Sequence, residues 1–293
     1  FLWNEKAIQI VAGPCSVESE EQLFATARGL KKIGIQTLRG GIWKPRSRAH
    51  HFEGVGESGL RWLQRVLQEL SMQVAIPGLP LFCGSMHPDL FFVRDVDVNY
   101  AGVVKGRKEE FVRLGLTEKT HYLASTGIQG QIADSRSLVL LDAYAVDGLQ
   151  AEQIRFLHAP EFLNPTYEYG VTFERGTAVE YGDRKHIFIS GTASIDNRGE
   201  VVYPGNIAGQ TRRMLLNIEA LLKEAGSSLA DLAKMIVYLR DIADYPIVRD
   251  LMEQQFPDVP KVIVLAPVCR PGWLIETECI AIKAGGNPEF RNL

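Results

Sequence analysis

Apolar positions along the chain change their period several times, and each change marks an element. Residues 7–13, AIQIVAG, form a short apolar run ending at Gly-Pro, which predicts a buried strand. SEEQLFATARGLKKIG then spaces Leu23, Ala27 and Leu30 at helical intervals behind a Ser cap, with Gly34 as its stop. IQTLRGG predicts a second strand, GESGLRWLQRVLQELS a second helix and MQVAI a third strand. Strand and helix in alternation imply parallel strands joined by right-handed crossovers. From residue 77 the alternation stops among clustered prolines and glycines. THYLASTGI and SLVLLDAYAV follow as two strands, AEQIRFLHA as a short helix and PEFLNPTYEYG as a Pro-rich connector.

The last portion is the most regular. TFERGTAVEYG and RKHIFISGTAS alternate as paired strands around the turn GDRK. NIAGQTRRMLLNIEALLKEAG sets Met214, Ile218 and Leu222 on one stripe and closes at Gly226. A strand and a helix follow, then PKVIVLAPVC and GWLIETECIAIKA as a final strand pair. The order β-β-α-β-α-β-β predicts an α+β sandwich, with helices on one face of a mixed sheet. Three regions are expected: an incomplete β/α fragment over 1–76, a linker and degenerate half domain over 77–166, and a complete α+β domain over 167–293.

Bulk composition narrows the function classes. The 293 residues carry 46% hydrophobic and 23% charged residues and a net charge of −3, so nucleic acid, which favours a basic surplus, is not the expected partner. Four cysteines without paired spacing predict reduced thiols and a cytoplasmic location. No apolar run approaches the roughly 20 residues of a membrane span. The start FLWNEKAIQIVAG has no basic region ahead of its apolar residues, so no signal peptide is expected.

Two sets of residues carry candidate chemistry. Near the start, Cys15 follows a strand and a Gly-Pro turn, Arg39 ends the next strand, and Lys44 and Arg46 flank Pro45 in its loop. A thiolate suits a transition metal, and three cations at a strand end suit phosphate and carboxylate. AGPCSVES, RGGIWKPRS and FEGVGESGLRWL over 8–76 resemble the amino-terminal part of type I DAHP synthases, (β/α)8-barrel enzymes at the entry of the shikimate pathway. The resemblance implies Cys15 as a metal ligand, Arg39 as the phosphoenolpyruvate contact and Lys44 with Arg46 as the sugar-phosphate contacts. It covers about 70 residues of a fold that takes roughly 250, and the later landmarks of that family are missing, so no metal or other cofactor is expected to be bound.

Toward the other end, SGT between two strands marks Gly191 as a place where backbone approaches a ligand closely. SGTASID, Gln210, Asn217 and VYLRD together resemble the Rid/YjgF/L-PSP superfamily, whose chorismate-mutase-like α+β subunits form trimers with clefts between them. Its imine deaminases place an arginine where this chain has Lys261, which keeps the charge but loses the bidentate fork. CRPGWLIETE, with Cys269, Arg270 and Glu276, resembles the chorismatase branch of that superfamily. This implies release of pyruvate from chorismate, with Glu276 as the acid, Cys269 beside it, and Arg175, Arg270 and Arg240 as anion contacts. Plainer readings stand beside these. Glu276 and Glu278 alternate on a strand and fit a solvated face, Cys269 fits a small core residue, and Arg175 fits a surface ion pair. The expected protein is thus a homotrimeric enzyme acting on a small carboxylate. Deamination of imines, metabolite binding without turnover and a DAHP-synthase-related role are the alternatives.

Overall fold

The computed structural model describes residues 11–14, 16–42, 55–75, 86–130, 137–146 and 148–292. The chain divides into two compact units, one of residues 1–80 with 133–136 and one of 81–132 with 137–293.

In the first unit, β1 (Val11–Ala12), β2 (Thr37–Arg39) and β3 (Gln73–Ala75) form a parallel sheet in that order. They are joined by α1 (Glu20–Lys32) and α2 (Glu57–Leu70). Ser19 caps α1 by accepting the Gln22 N–H at 3.2 Å, as its sequence position predicts. Val17, Leu23, Ala27, Leu38 and Val66 close a small core. The β/α alternation anticipated for this segment is therefore present, as three described strands of a fold that needs eight to close. Arg39 sits at the end of β2. Cys15, Lys44 and Arg46 lie outside the described residues. Among the described residues no three His, Cys, Asp or Glu side chains converge as a metal site.

The second unit carries a mixed six-stranded sheet in the order β11-β10-β12-β9-β8-β7. Its strands are β7 (Ile154–Leu157), β8 (Gly176–Glu180), β9 (Arg184–Ala193), β10 (Leu232–Leu239), β11 (Lys261–Leu265) and β12 (Ile275–Ala284). Helices α4 (Ile207–Glu224) and α5 (Tyr245–Gln255) share a core with this sheet through Met214, Ile218, Leu222, Val248 and Met252. That core takes the β12 residues Ile275, Cys279 and Ala281. Period-two alternation then sends Glu276, Glu278, Ile280 and Ile282 to the opposite face.

That opposite face meets a three-stranded sheet in the order β5-β4-β6, made of β4 (Met86–Val93), β5 (Ser125–Gln129) and β6 (Val139–Ala145). Helix α3 (Val96–Arg113) connects β4 to the parallel strand β5. Strand β5 docks on β9: Ser125 N–H donates to Ser190 Oγ at 2.9 Å, and Gly191 N–H donates to Thr126 Oγ1 at 2.9 Å.

Two local expectations change. AEQIRFLHA is a single 3-10 turn followed by strand β7, because Ile154–Leu157 extends the sheet along β8. The stretch after residue 85, read only as loss of regularity, holds β4 and the 18-residue helix α3. Among the described residues no helix is long and apolar enough to cross a membrane.

Buried polar residues on α4 hold the functional face in shape. Asn217 donates to the carbonyls of Ala193 and Ile195, each at 3.0 Å, fixing the end of β9. An Asn217→Ala variant leaves two buried acceptors without their donor. It should lose about 2 to 4 kcal/mol of stability, read as an earlier unfolding midpoint in urea; an unchanged midpoint contradicts this role.

Candidate active site

The bend of β9 creates the site. Pairing between β12 and β9 runs in step from Thr277↔Thr192 but resumes at Cys279↔Ile189, so β9 carries an extra residue across Ser190 and Gly191. A Cβ on Gly191 would lie 1.9 Å from Glu276 Oε1. The glycine therefore makes room for a carboxyl group of the chain itself, which is a closer reason for its presence than the ligand contact expected from SGT.

Glu276 is 3% exposed. Its Oε2 is buried and makes no hydrogen bond in the chain. Burial first, and the neighbouring Glu278 charge second, push its pKa up to about 8 against a smaller opposing pull from Arg175. At neutral pH the side chain is thus a carboxylic acid with a proton to give.

Around it is a cleft lined by residues from several parts of the unit. Helix α3 brings Tyr100, Val103 and Arg107, and β5 brings Ser125 and Gly127. The connector 169–173 brings Tyr169 and Thr172, and the turn before β12 brings Cys269, Arg270 and Trp273. The cleft holds about 570 Å³ of atom-free space, part of it open to solvent.

Two guanidinium groups, Arg107 and Arg270, line this cleft, and a third, Arg175, lies buried within electrostatic reach of Glu276. Arg175, 4% exposed, donates to the Asn164 carbonyl at 2.8 Å and to Asn164 Oδ1 at 3.1 Å, and its guanidinium carbon lies 5.3 Å from the Tyr169 ring centre. Arg270 stacks on the same ring at 4.5 Å and on Trp273 at 5.2 Å. Arg107 pairs with Asp89 at 3.1 Å, donates to Ser125 Oγ at 2.8 Å and lies over Phe91 and Phe111. Besides Glu276 Oε2, the buried atoms Arg107 Nε, Thr172 Oγ1 and Trp273 Nε1 make no hydrogen bond in the chain. Fixed cations, unspent donors and a neutral acid make a site for an anionic ligand with several oxygens.

Cys269 donates its thiol to the Gly127 carbonyl at 2.6 Å. Burial and the nearby Glu276 push the thiol well above its ordinary pKa, so it is a neutral group. Gln210 positions the turn that bears it. Its amide donates to the Gly272 carbonyl at 3.1 Å, and its oxygen accepts the Leu274 N–H at 2.9 Å.

The structure thus gathers Glu276, Cys269, Gly191 and Arg270 in the cleft lining, with Arg175 buried beside Tyr169 and within electrostatic reach of Glu276. Arg240 and Lys261 do not line the cleft. Arg240 is engaged with Asp97 at 3.1 Å and with the Val268 carbonyl. Lys261 pairs with Glu253 at 3.1 Å and donates to the Phe256 carbonyl at 2.7 Å. Arg107, Tyr100 and Tyr169 are site residues that sequence reading passed over. Tyr100, Val103 and Arg107 recur at helical spacing, and that was the available signal.

A second cavity, with about 1390 Å³ of atom-free space partly open to solvent, lies further along the same face of β12, lined among others by Glu278, Lys234, Asp142, Tyr144, Phe188 and Ile282.

Comparison with known proteins finds relatives for both ends of the chain. Residues 176–283 match the family described as endoribonuclease L-PSP. The 3-aminoacrylate deaminase RutC of Acinetobacter baylyi is 34% identical over 97 residues, covering 32% of this chain and 77% of that protein. The chain belongs to the L-PSP family. A 3-hydroxybenzoate synthase of Streptomyces hygroscopicus is 29% identical over 200 residues, covering 62% of this chain and 57% of that protein. A solved chorismatase structure covers 76% of this chain and 69% of its own with a TM-score of 0.56 at 20% identity, a likeness of fold. Residues 3–90 match the DAHP synthetase I family. There, the phospho-2-dehydro-3-deoxyheptonate aldolase of Thermotoga maritima is 44% identical over 70 residues, 24% of this chain. The chain spans about a fifth of that relative's length, 21%.

Proposed function

We propose that this L-PSP family member is an enzyme of the chorismatase type. It releases pyruvate from chorismate, or from a related small dicarboxylate bearing an enolpyruvyl ether, with Glu276 as general acid. The observation that carries the reading is the buried Glu276 carboxyl, with its Oε2 unpartnered, in a cleft lined by Arg107 and Arg270 and with Arg175 nearby. Chorismate has the matching features, two carboxylates for the cations and an electron-rich enol ether for the acid.

Glu276 gives its proton to the methylene carbon of the enol ether, leaving a cation on the ether carbon. Water adds there and returns a proton to Glu276. The carbon–oxygen bond of the adduct then breaks to pyruvate and a dihydroxycyclohexadiene carboxylate, with one water consumed. In that last step the adduct's hydroxyl proton passes to the departing ring oxygen. Subsequent loss of a ring hydroxyl and a ring hydrogen as a second water yields a hydroxybenzoate, the product type named for the Streptomyces relative. The Cys269 thiol borders the reacting region, so Cys269→Ala should change the ratio of diol to hydroxybenzoate while pyruvate continues to form. An unchanged ratio removes Cys269 from the mechanism.

Incubation with chorismate, with pyruvate followed through lactate dehydrogenase, tests the reading directly. Pyruvate release that survives Lys261→Met supports it. Ammonia release from freshly generated 2-aminoacrylate without pyruvate release from chorismate favours the deaminase alternative, and chorismate binding by calorimetry without turnover favours a binding protein. The same reading expects a small-molecule carboxylate as partner and a homotrimer as assembly.

A further inference from the structure

Two carboxyl groups stand on one face of β12, two residues apart, and their surroundings differ. Strand geometry puts their Cα atoms about 7 Å apart. Glu276 faces the cleft, and its Oε2 has no donor. Glu278 faces the second cavity, where the Thr126 and Tyr238 side chains hydrogen-bond to it and Lys234 lies within electrostatic reach. Thr126 belongs to both sites, since its hydroxyl also accepts the Gly191 N–H beside Glu276. Tyr238 stands directly across from Glu276 on β10.

We propose that Glu278 is a positioning residue for the chemistry of Glu276. Its carboxylate, fixed by Thr126 and Tyr238 on the same strand face, keeps the proton on the neighbouring acid. The proposal rests on the chorismatase-type reading for its link to turnover, but the coupling of the two carboxyls stands apart from any substrate.

Two acids this close do not both ionise easily, and the one with donors and a cation ionises first. Burial leaves Glu278 above its ordinary value too, but Thr126, Tyr238 and Lys234 each oppose that rise. Glu276 has only the opposing charge of Arg175 among its principal influences. The other groups around the pair leave this ordering in place. On the Glu276 side, Tyr100, Tyr169 and Cys269 are neutral because burial raises all three, and Arg107, Arg175 and Arg270 are cations common to every state compared. On the Glu278 side, Cys279 is a neutral thiol, and burial with Arg184 pushes His186 down to about 4, so it is uncharged. Asp89 on β4 is tied to Arg107 of α3, and Asp142 stands exposed on β6. The two carboxyls titrate as a coupled pair, so each measured value belongs to the pair.

Glu278→Gln keeps an oxygen for Thr126 and Tyr238 but removes the charge. The pH profile of pyruvate release should then show its alkaline limb moved down by about one unit, which is a roughly fivefold lower rate at pH 8 and an unchanged rate at pH 6. The Glu276 carboxyl carbon, followed by NMR in protein labelled with 13C-glutamate, should titrate lower by the same interval. Tyr238→Phe, which weakens the hold on the Glu278 carboxylate, should move both readouts the same way by less. An unmoved limb together with an unmoved carboxyl signal overturns the proposal, as does a uniform loss of rate at every pH with Glu276 titrating as before. If the wild-type protein releases no pyruvate, the reading of function fails while the NMR shift still decides the coupling.

Discussion

Glu276→Gln lowers pyruvate release from chorismate by about a hundred- to ten-thousandfold, the range that a positioned general acid contributes. The amide preserves the shape of the carboxylic acid, so chorismate binding measured by calorimetry should stay within a few-fold. The same substitution changes how stability depends on pH. A carboxyl whose pKa rises from 4.5 to about 8 on folding binds an extra proton in the native state throughout that interval. Stability from this source is fully present below pH 4.5, declines as pH rises and is lost above about pH 8. The interval corresponds to about 5 kcal/mol. Wild-type protein should therefore weaken between pH 5 and pH 9 in urea titrations. The Glu276→Gln variant should weaken less and become the more stable of the two at pH 9. Equal slopes for the two proteins would mean that Glu276 is ionised in the folded state.

Gly191→Ala gives the second large effect. The added methyl would lie 1.9 Å from Glu276 Oε1 and 3.0 Å from Thr126 Cγ2, so the carboxyl cannot keep its place. Displacement by more than 1 Å costs a catalytic group about a hundredfold in rate, and crowding here should cost about 1 to 3 kcal/mol of stability. Moving the carboxyl from its enclosure also lowers its pKa, so the remaining activity should fall off at lower pH than in the wild type. Near-normal kcat with an unchanged alkaline limb in this variant would show that Glu276 acts from another position.

Much of the second unit was legible because its elements obey one period at a time. The stripe of α4, the alternation of β9 and β12 and the glycine at the bulge all report tertiary constraints through local spacing. Helix α3 was not legible. Val96, Val98, Val103 and Val104 do not form one stripe, Gly102 and Gly106 interrupt it, and Pro and Gly precede β4. With it went Tyr100 and Arg107, which reach the cleft from about 170 positions upstream of Glu276 in the chain. The β7 segment failed for another reason, since four residues of IRFL carry no period and only pairing with β8 decides them. Arg240 and Lys261 show a further limit. A sequence gives a cation its charge but not its partner, and here Asp97 and Glu253 already supply one.

The direct test is the 13C NMR titration of the Glu276 carboxyl, assigned by its absence from the Glu276→Gln spectrum. A midpoint near pH 8 is the predicted result. A midpoint between pH 4 and 5 would mean a solvated carboxylate that has no proton to donate at neutral pH, and the acid chemistry assigned to this cleft would be wrong.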